Sequence, residues 1–134
     1  MSAFGNAILK EVYTALVGNP TLLALVQGVF DHVPQDISYP YVAIGELVET
    51  EFNDDDAPAG VTASLTVHCY SRKRGRKETH DIQAEIQTAL HRATLAASGF
   101  NFVSIDHEQS QSFTDADGIT RHGIVEFKII MTEA

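Results

Sequence analysis

The stretch that most constrains this chain is residues 61–95. It reads VTASLTVHCY, then SRKRGRK, then ETHDIQAEIQTALHRATL. In the first part Val61, Ala63, Leu65, Val67 and Cys69 alternate with Thr62, Ser64, Thr66, His68 and Tyr70. A period of two predicts a strand with one buried face and one wetter face. In the last part Ile82, Ile86, Ala89, Leu90 and Ala93 recur at helical spacing, which predicts an amphipathic helix over residues 78–95. Between them Arg72, Lys73, Arg74, Arg76 and Lys77 make a basic turn, which holds five of the nine Lys and Arg residues. A strand and a helix joined so closely must pack on one another, and the rest of the chain is placed relative to them.

Residues 3–17 carry a helical stripe of Phe4, Ile8, Val12, Ala15 and Leu16, widened by Leu9 and Tyr13. Gly18-Asn19-Pro20 stops that helix and starts a short second one over residues 21–27. Gly suits the position after a helix, while Asn and Pro suit the cap and first turn of the next. Residues 29–33 read as a short strand, followed by a loop bracketed by Pro34 and Pro40. Residues 41–50 read as a strand with apolar members on both faces, hence interior to the sheet, and Gly45 marks a bulge or a close approach. Residues 52–60 form an acidic loop, expected to order only against a partner. Residues 100–111 alternate Phe100, Phe102 and Ser104 against Asn101, Val103 and Ile105. Residues 114–118 make a hairpin turn. Residues 119–132 form a last long strand with Val125, Phe127, Ile129 and Met131 on one face. The order α-α-β-β-β-α-β-β predicts an α+β fold, a mostly antiparallel sheet with helices on one face, as a single domain over residues 1–134.

The formal charge of −9 opposes a freely acting DNA binder, which needs a basic face. No apolar run reaches the length of a membrane span, no signal peptide is evident, and the lone Cys69 suits synthesis in a reducing cytosol. The charge is segregated. Glu46, Glu49, Glu51, Asp54, Asp55 and Asp56 gather before the central strand, and the basic turn follows it. They are either two solvated segments or two patches that meet on neighbouring copies. The second arrangement is heterologous and builds rings or filaments.

No residue pattern names a reaction. The six histidines have neither HExxH nor CxxC spacing, and His80 and His91 stand about three turns apart on one helix. Asp115, Asp117 and Gly118 start like a calcium loop, but the glutamate at its end falls at about Glu126, inside a predicted strand, and the flanking helices are absent, so they read as a turn. There is no nucleophile elbow, and Cys69 sits in a strand rather than at a helix start. No catalytic, cofactor-binding or metal-binding residue is assigned. RKRGRK lacks the glycines and the terminal Lys-Ser/Thr of a phosphate loop; it suits either a short basic finger on nucleic acid phosphates or a subunit contact.

Several segments in this order resemble a phage protein family: Phe30-Asp31-His32-Val33-Pro34-Gln35, then Tyr39-Pro40-Tyr41-Val42-Ala43-Ile44-Gly45-Glu46, then His68-Cys69-Tyr70-Ser71-Arg72-Lys73-Arg74-Gly75-Arg76-Lys77-Glu78, then Asp115-Ala116-Asp117-Gly118 and His122-Gly123. The chain is similar to the tail-completion (tail-terminator, minor tail) proteins of long-tailed phages, prophages and gene transfer agents. The resemblance implies a structural virion protein with no catalytic residue and no cofactor, made in the host bacterial cytoplasm. It implies a hexameric ring of this chain on the head-proximal end of the tail tube. The partners would be the tube protein and the head–tail connector, with DNA passing through the lumen without specific binding. In such a ring Arg72, Lys73, Arg74, Arg76 and Lys77 are expected to face the acids of residues 46–56 on the next subunit. A small nucleic-acid-binding module led by residues 72–77 is the alternative.

Overall fold

A computed structural model describes residues 4–52 and 59–134. The elements are α1 (Phe4–Val17), α2 (Pro20–Leu25), β1 (Val29–Phe30), β2 (Tyr41–Phe52), β3 (Gly60–Ser71), α3 (Lys77–Leu90), β4 (Phe100–Thr114) and β5 (Arg121–Glu133). The fold is α+β, in the element order that the sequence predicts. The strands form one sheet in the order β1-β2-β3-β5-β4. β1 pairs parallel with β2, and the other neighbours are antiparallel.

The alternation of β3 works as expected. Val61, Ala63, Leu65, Val67 and Cys69 are all buried on the face that meets the helices. Val125, Phe127, Ile129 and Met131 of β5 extend that face, and Ile82, Ile86 and Leu90 of α3 close over it. Gly123 lets the helix come close: a Cβ there would stand 2.6 Å from Cys69 Sγ and 2.9 Å from Thr79 Cγ2. Beside it Gln83 Nε2 donates to Gln111 O and Ile124 O, which ties α3 to β4 and β5. α1 adds Phe4, Ala7, Ile8, Val12 and Leu16 to the core, whereas Tyr13, placed on the same stripe by periodicity, is 45% exposed.

Two predicted elements change. The third helix ends at Leu90 rather than Leu95, because His91 is extended and Arg92 takes φ 57°. Arg92 N–H then donates to Ile105 O, and His107 N–H to His91 Nδ1. The segment thus covers the outer edge of β4, and pairing to that edge outweighs continued helix. Ala93 and Leu95 still pack on the core from this new position. In β4 the register shifts between Phe102 and Ser104. One extra residue reverses the alternation, so Phe102 and Ile105 both serve the core while Val103 points outward. The shift in β2 between Ile44 and Leu47 falls at Gly45, as the sequence suggests. Residues 53–58, most of the acidic loop and including Asp54, Asp55 and Asp56, lie outside the described residues; Phe52 and Gly60, assigned to that loop by sequence, are paired strand residues.

The start of α2 shows how local sequence positions a larger unit. Asn19 Oδ1 accepts from the N–H groups of Thr21 and Leu22, and Asn19 Nδ2 donates to Glu85 O and Oε1 on α3. The residue caps one helix and ties it to another. Asn19→Ala is expected to lower stability by about 1–2 kcal/mol, within the range of lost N-caps, as read by urea unfolding; an unchanged midpoint would show that the cap is replaceable.

Candidate functional site

β3 separates the two charged segments. Its start follows residues 53–58 and its end opens into the basic turn. Twelve residues at about 3.3 Å each place these ends about 40 Å apart. One copy therefore presents acid and base at opposite ends of its central strand.

The predicted interface residues divide into two sets. Arg72 is held within its own chain: its guanidinium lies 4.3 Å over the Tyr39 ring, Nε donates to Thr120 Oγ1 at 3.3 Å, and Nη2 stands 3.9 Å from Asp117 Oδ2. Lys77 pairs with Asp81 one helical turn on, at 2.7 Å. Glu46 accepts from His68 Nε2 at 2.7 Å, and this bond holds its carboxyl below the usual range. Lys73, Arg74 and Arg76 are exposed and form no ion pair among the described residues. Glu49 and Glu51 are exposed on the second half of β2, with the Glu49 carboxylate beside Gly5 of α1. Among the described residues the basic turn meets acid within one copy only at Lys77–Asp81 and the long Arg72–Asp117 contact.

What pattern reading missed lies on the sheet face opposite the helices. Tyr70 stacks on Tyr41 (centroids 5.0 Å apart) and on His122 (4.4 Å), and Phe113 stands 4.7 Å from His122. His68 and His122 are 2.7 Å apart, Nδ1 to Nε2, and His122 Nδ1 is 3.3 Å from Asp115 Oδ1. These residues come from β2, β3, β4, β5 and the turn before β5. The signal available in sequence was the wetter face of β3, which carries His68 and Tyr70. Their partners needed the strand register, which pairs Tyr41 with Tyr70 and Tyr70 with His122.

The turn between β4 and β5 follows from Asp117. Its Oδ1 accepts from Ile119 and Thr120 N–H, and its Oδ2 from Thr120 Oγ1, which together hold its carboxyl down at about 2. That wrap buries Thr120, the residue that Arg72 contacts. Burial pushes the Tyr41 phenol up to about 12, helped by the nearby Tyr39 and Tyr70 hydroxyls. Burial likewise pushes the Cys69 thiol up to about 12, the opposite of nucleophile activation. Among the described residues no three His, Cys, Asp or Glu side chains converge as metal ligands do.

Gly45 lets His68 sit where it does. A Cβ on Gly45 would stand 2.4 Å from His68 Cδ2 and 2.9 Å from Thr66 O. Gly45→Ala must displace the imidazole or the backbone, so it is expected to cost about 1–3 kcal/mol and to break the Glu46–His68 contact. Urea unfolding and the His68 ring resonances check this; native stability with unmoved resonances would refute it.

Comparison with known proteins matches this architecture. Residues 10–132 match the sequence profile of the family described as tail completion protein gp17. The chain is 30% identical over 123 residues to the tail completion protein gp17 of Bacillus phage SPP1, covering 92% of this chain and 90% of that one. A chain from the virion of a native gene transfer agent particle shares the fold, with a TM-score of 0.88, 19% identity and complete coverage of both chains. This family is structural rather than enzymatic, and its members are parts of the virion tail and so contact other tail proteins. The chain belongs to the tail completion protein gp17 family.

Proposed function

We propose that copies of this chain meet head-to-tail in a hexameric ring that caps the head-proximal end of a phage-like tail tube, stops its growth and offers the surface for joining the head. The observation that carries the ring is the placement of charge. Lys73, Arg74 and Arg76, free of ion pairs among the described residues, stand at one end of β3, and the segment holding Asp54, Asp55 and Asp56 precedes its other end, next to Glu49 and Glu51. A contact between two different ends is heterologous, and it closes into a ring when its rotation closes. Exposed pairs contribute only about 0–1 kcal/mol each. Apolar burial between subunits then supplies most of the stability, and the charges set register and angle. A net charge of −9 suits a ring through which DNA slides without sticking.

Arg72 and Glu46 are poor probes of this contact, because both serve partners within the chain. The informative variant is Lys73→Glu with Arg74→Glu and Arg76→Glu. It is expected to fold normally, to be depleted in purified particles and to leave tails of irregular length under the electron microscope. Adding Glu49→Lys and Glu51→Lys should restore part of the occupancy. Wild-type occupancy and uniform tails in the triple variant would refute the ring contact, and salt-sensitive binding of duplex DNA by the free chain would favour the nucleic-acid alternative.

A further inference from the structure

On the open face of the sheet four side chains stand in line. Glu46 Oε1 is 2.7 Å from His68 Nε2, His68 Nδ1 is 2.7 Å from His122 Nε2, and His122 Nδ1 is 3.3 Å from Asp115 Oδ1. They come from β2, β3, β5 and the turn before β5. Each of the three contacts needs one hydrogen to be a bond. An ionised carboxylate only accepts, so the two outer ring nitrogens must donate. Two neutral rings own two N–H groups; both then point outward, and the central contact sets two lone pairs 2.7 Å apart. Two imidazolium rings own four, and the central contact sets two N–H groups head on. Only three N–H groups satisfy all three contacts. The line therefore holds one proton more than two neutral rings and two carboxylates would, and an imidazole binds it more strongly than a carboxylate does.

We propose that Glu46, His68, His122 and Asp115 form a proton-binding site, in which one proton shared between the rings clamps the β4–β5 turn to β3 and β2. The shorter carboxylate contact places the positive ring beside Glu46, with His122 the neutral, Nδ1-protonated partner. Both imidazoles are only 13% exposed, so water does not readily replace the central bond. The groups facing the pair are Glu46 and Tyr41 from β2, Tyr70 from β3, Asp115 from the turn, and Arg72 beyond Tyr39; Phe113 of β4 brings no charge. The turn so clamped carries Asp117 and Thr120, which hold Arg72 at the root of the basic turn. The proton thus bears on how the basic turn is presented. The site belongs to a single chain and stands whether or not that chain forms a ring.

The pH dependence has a definite sign. Burial first, and the neighbouring His68 charge second, hold His122 below the ordinary imidazole value of 6.5. Between those two values the unfolded chain binds more protons than the folded one, so stability is lost as pH falls through the folded value of His122. On the alkaline side, loss of the shared proton removes the central bond.

Nitrogen-15 spectra of the imidazoles in the unmodified chain test the site. Near neutral pH one ring is expected to show the imidazolium pattern and the other the neutral Nδ1-protonated tautomer, with the pair taking up protons in two separate steps. Two neutral rings at that pH, or a single common step, would overturn the proposal. His122→Phe keeps a ring against Tyr70 and Phe113 and removes both nitrogens. It is expected to remove the part of the acid-side loss of urea midpoint that begins just below 6.5, leaving the carboxylate losses at lower pH; midpoints that track the unmodified chain across pH would overturn the proposal as well. If that variant fails to fold, the spectra of the unmodified chain decide.

Discussion

Burial of the β3 face that bears Val61, Ala63, Leu65, Val67 and Cys69 is the interaction on which everything else rests. The strand has a neighbour on each side along its length, β2 and β5, and α3 above it. Its backbone polar groups are therefore satisfied in the sheet while its side chains leave water. The same strand fixes the positions of the charged segments before and after it. It also presents His68 and Tyr70 on the face that the helices leave open. A change that shifted β3 by one residue would move the core face to solvent and dismantle the histidine line together.

The charge segregation divides once the fold is known. Arg72, Lys77 and Glu46 look in sequence like members of two outward patches, yet each is engaged inside its own chain. Arg72 is a joint between the end of β3 and the β4–β5 turn, since its guanidinium stacks on Tyr39 and bonds Thr120. That leaves Lys73, Arg74 and Arg76 as exposed cations with no ion pair among the described residues. The root of the turn is thus anchored in place while its tip stays exposed.

The open face combines groups that water would normally separate. Stacked tyrosines and a phenylalanine lower the local polarity around two imidazoles that stand between two carboxylates. There each hydrogen bond matters more, and one proton can decide a geometry. Histidine suits such a role because its ordinary value lies near neutrality, where small environmental effects decide its charge.

The period-two and period-3.6 patterns by themselves determined the element order, the buried faces of β3 and β5, the stripe of α1 and the caps around Asn19, because side-chain spacing and local hydrogen bonding act over a few residues. The resemblance carried in the ordered segments from Phe30 to Gly123 pointed to the family. Only the tertiary structure decided where α3 stops, since the 91–97 segment ends the helix to cover the β4 edge. It also decided which face Ile105 joins, because a one-residue bulge in β4 depends on pairing with β5. The line from Glu46 through His68 and His122 to Asp115 was illegible for the same reason. Its members are scattered between residues 46 and 122, and only the register of four elements, fixed by burial of the opposite face, brings them within hydrogen-bonding distance.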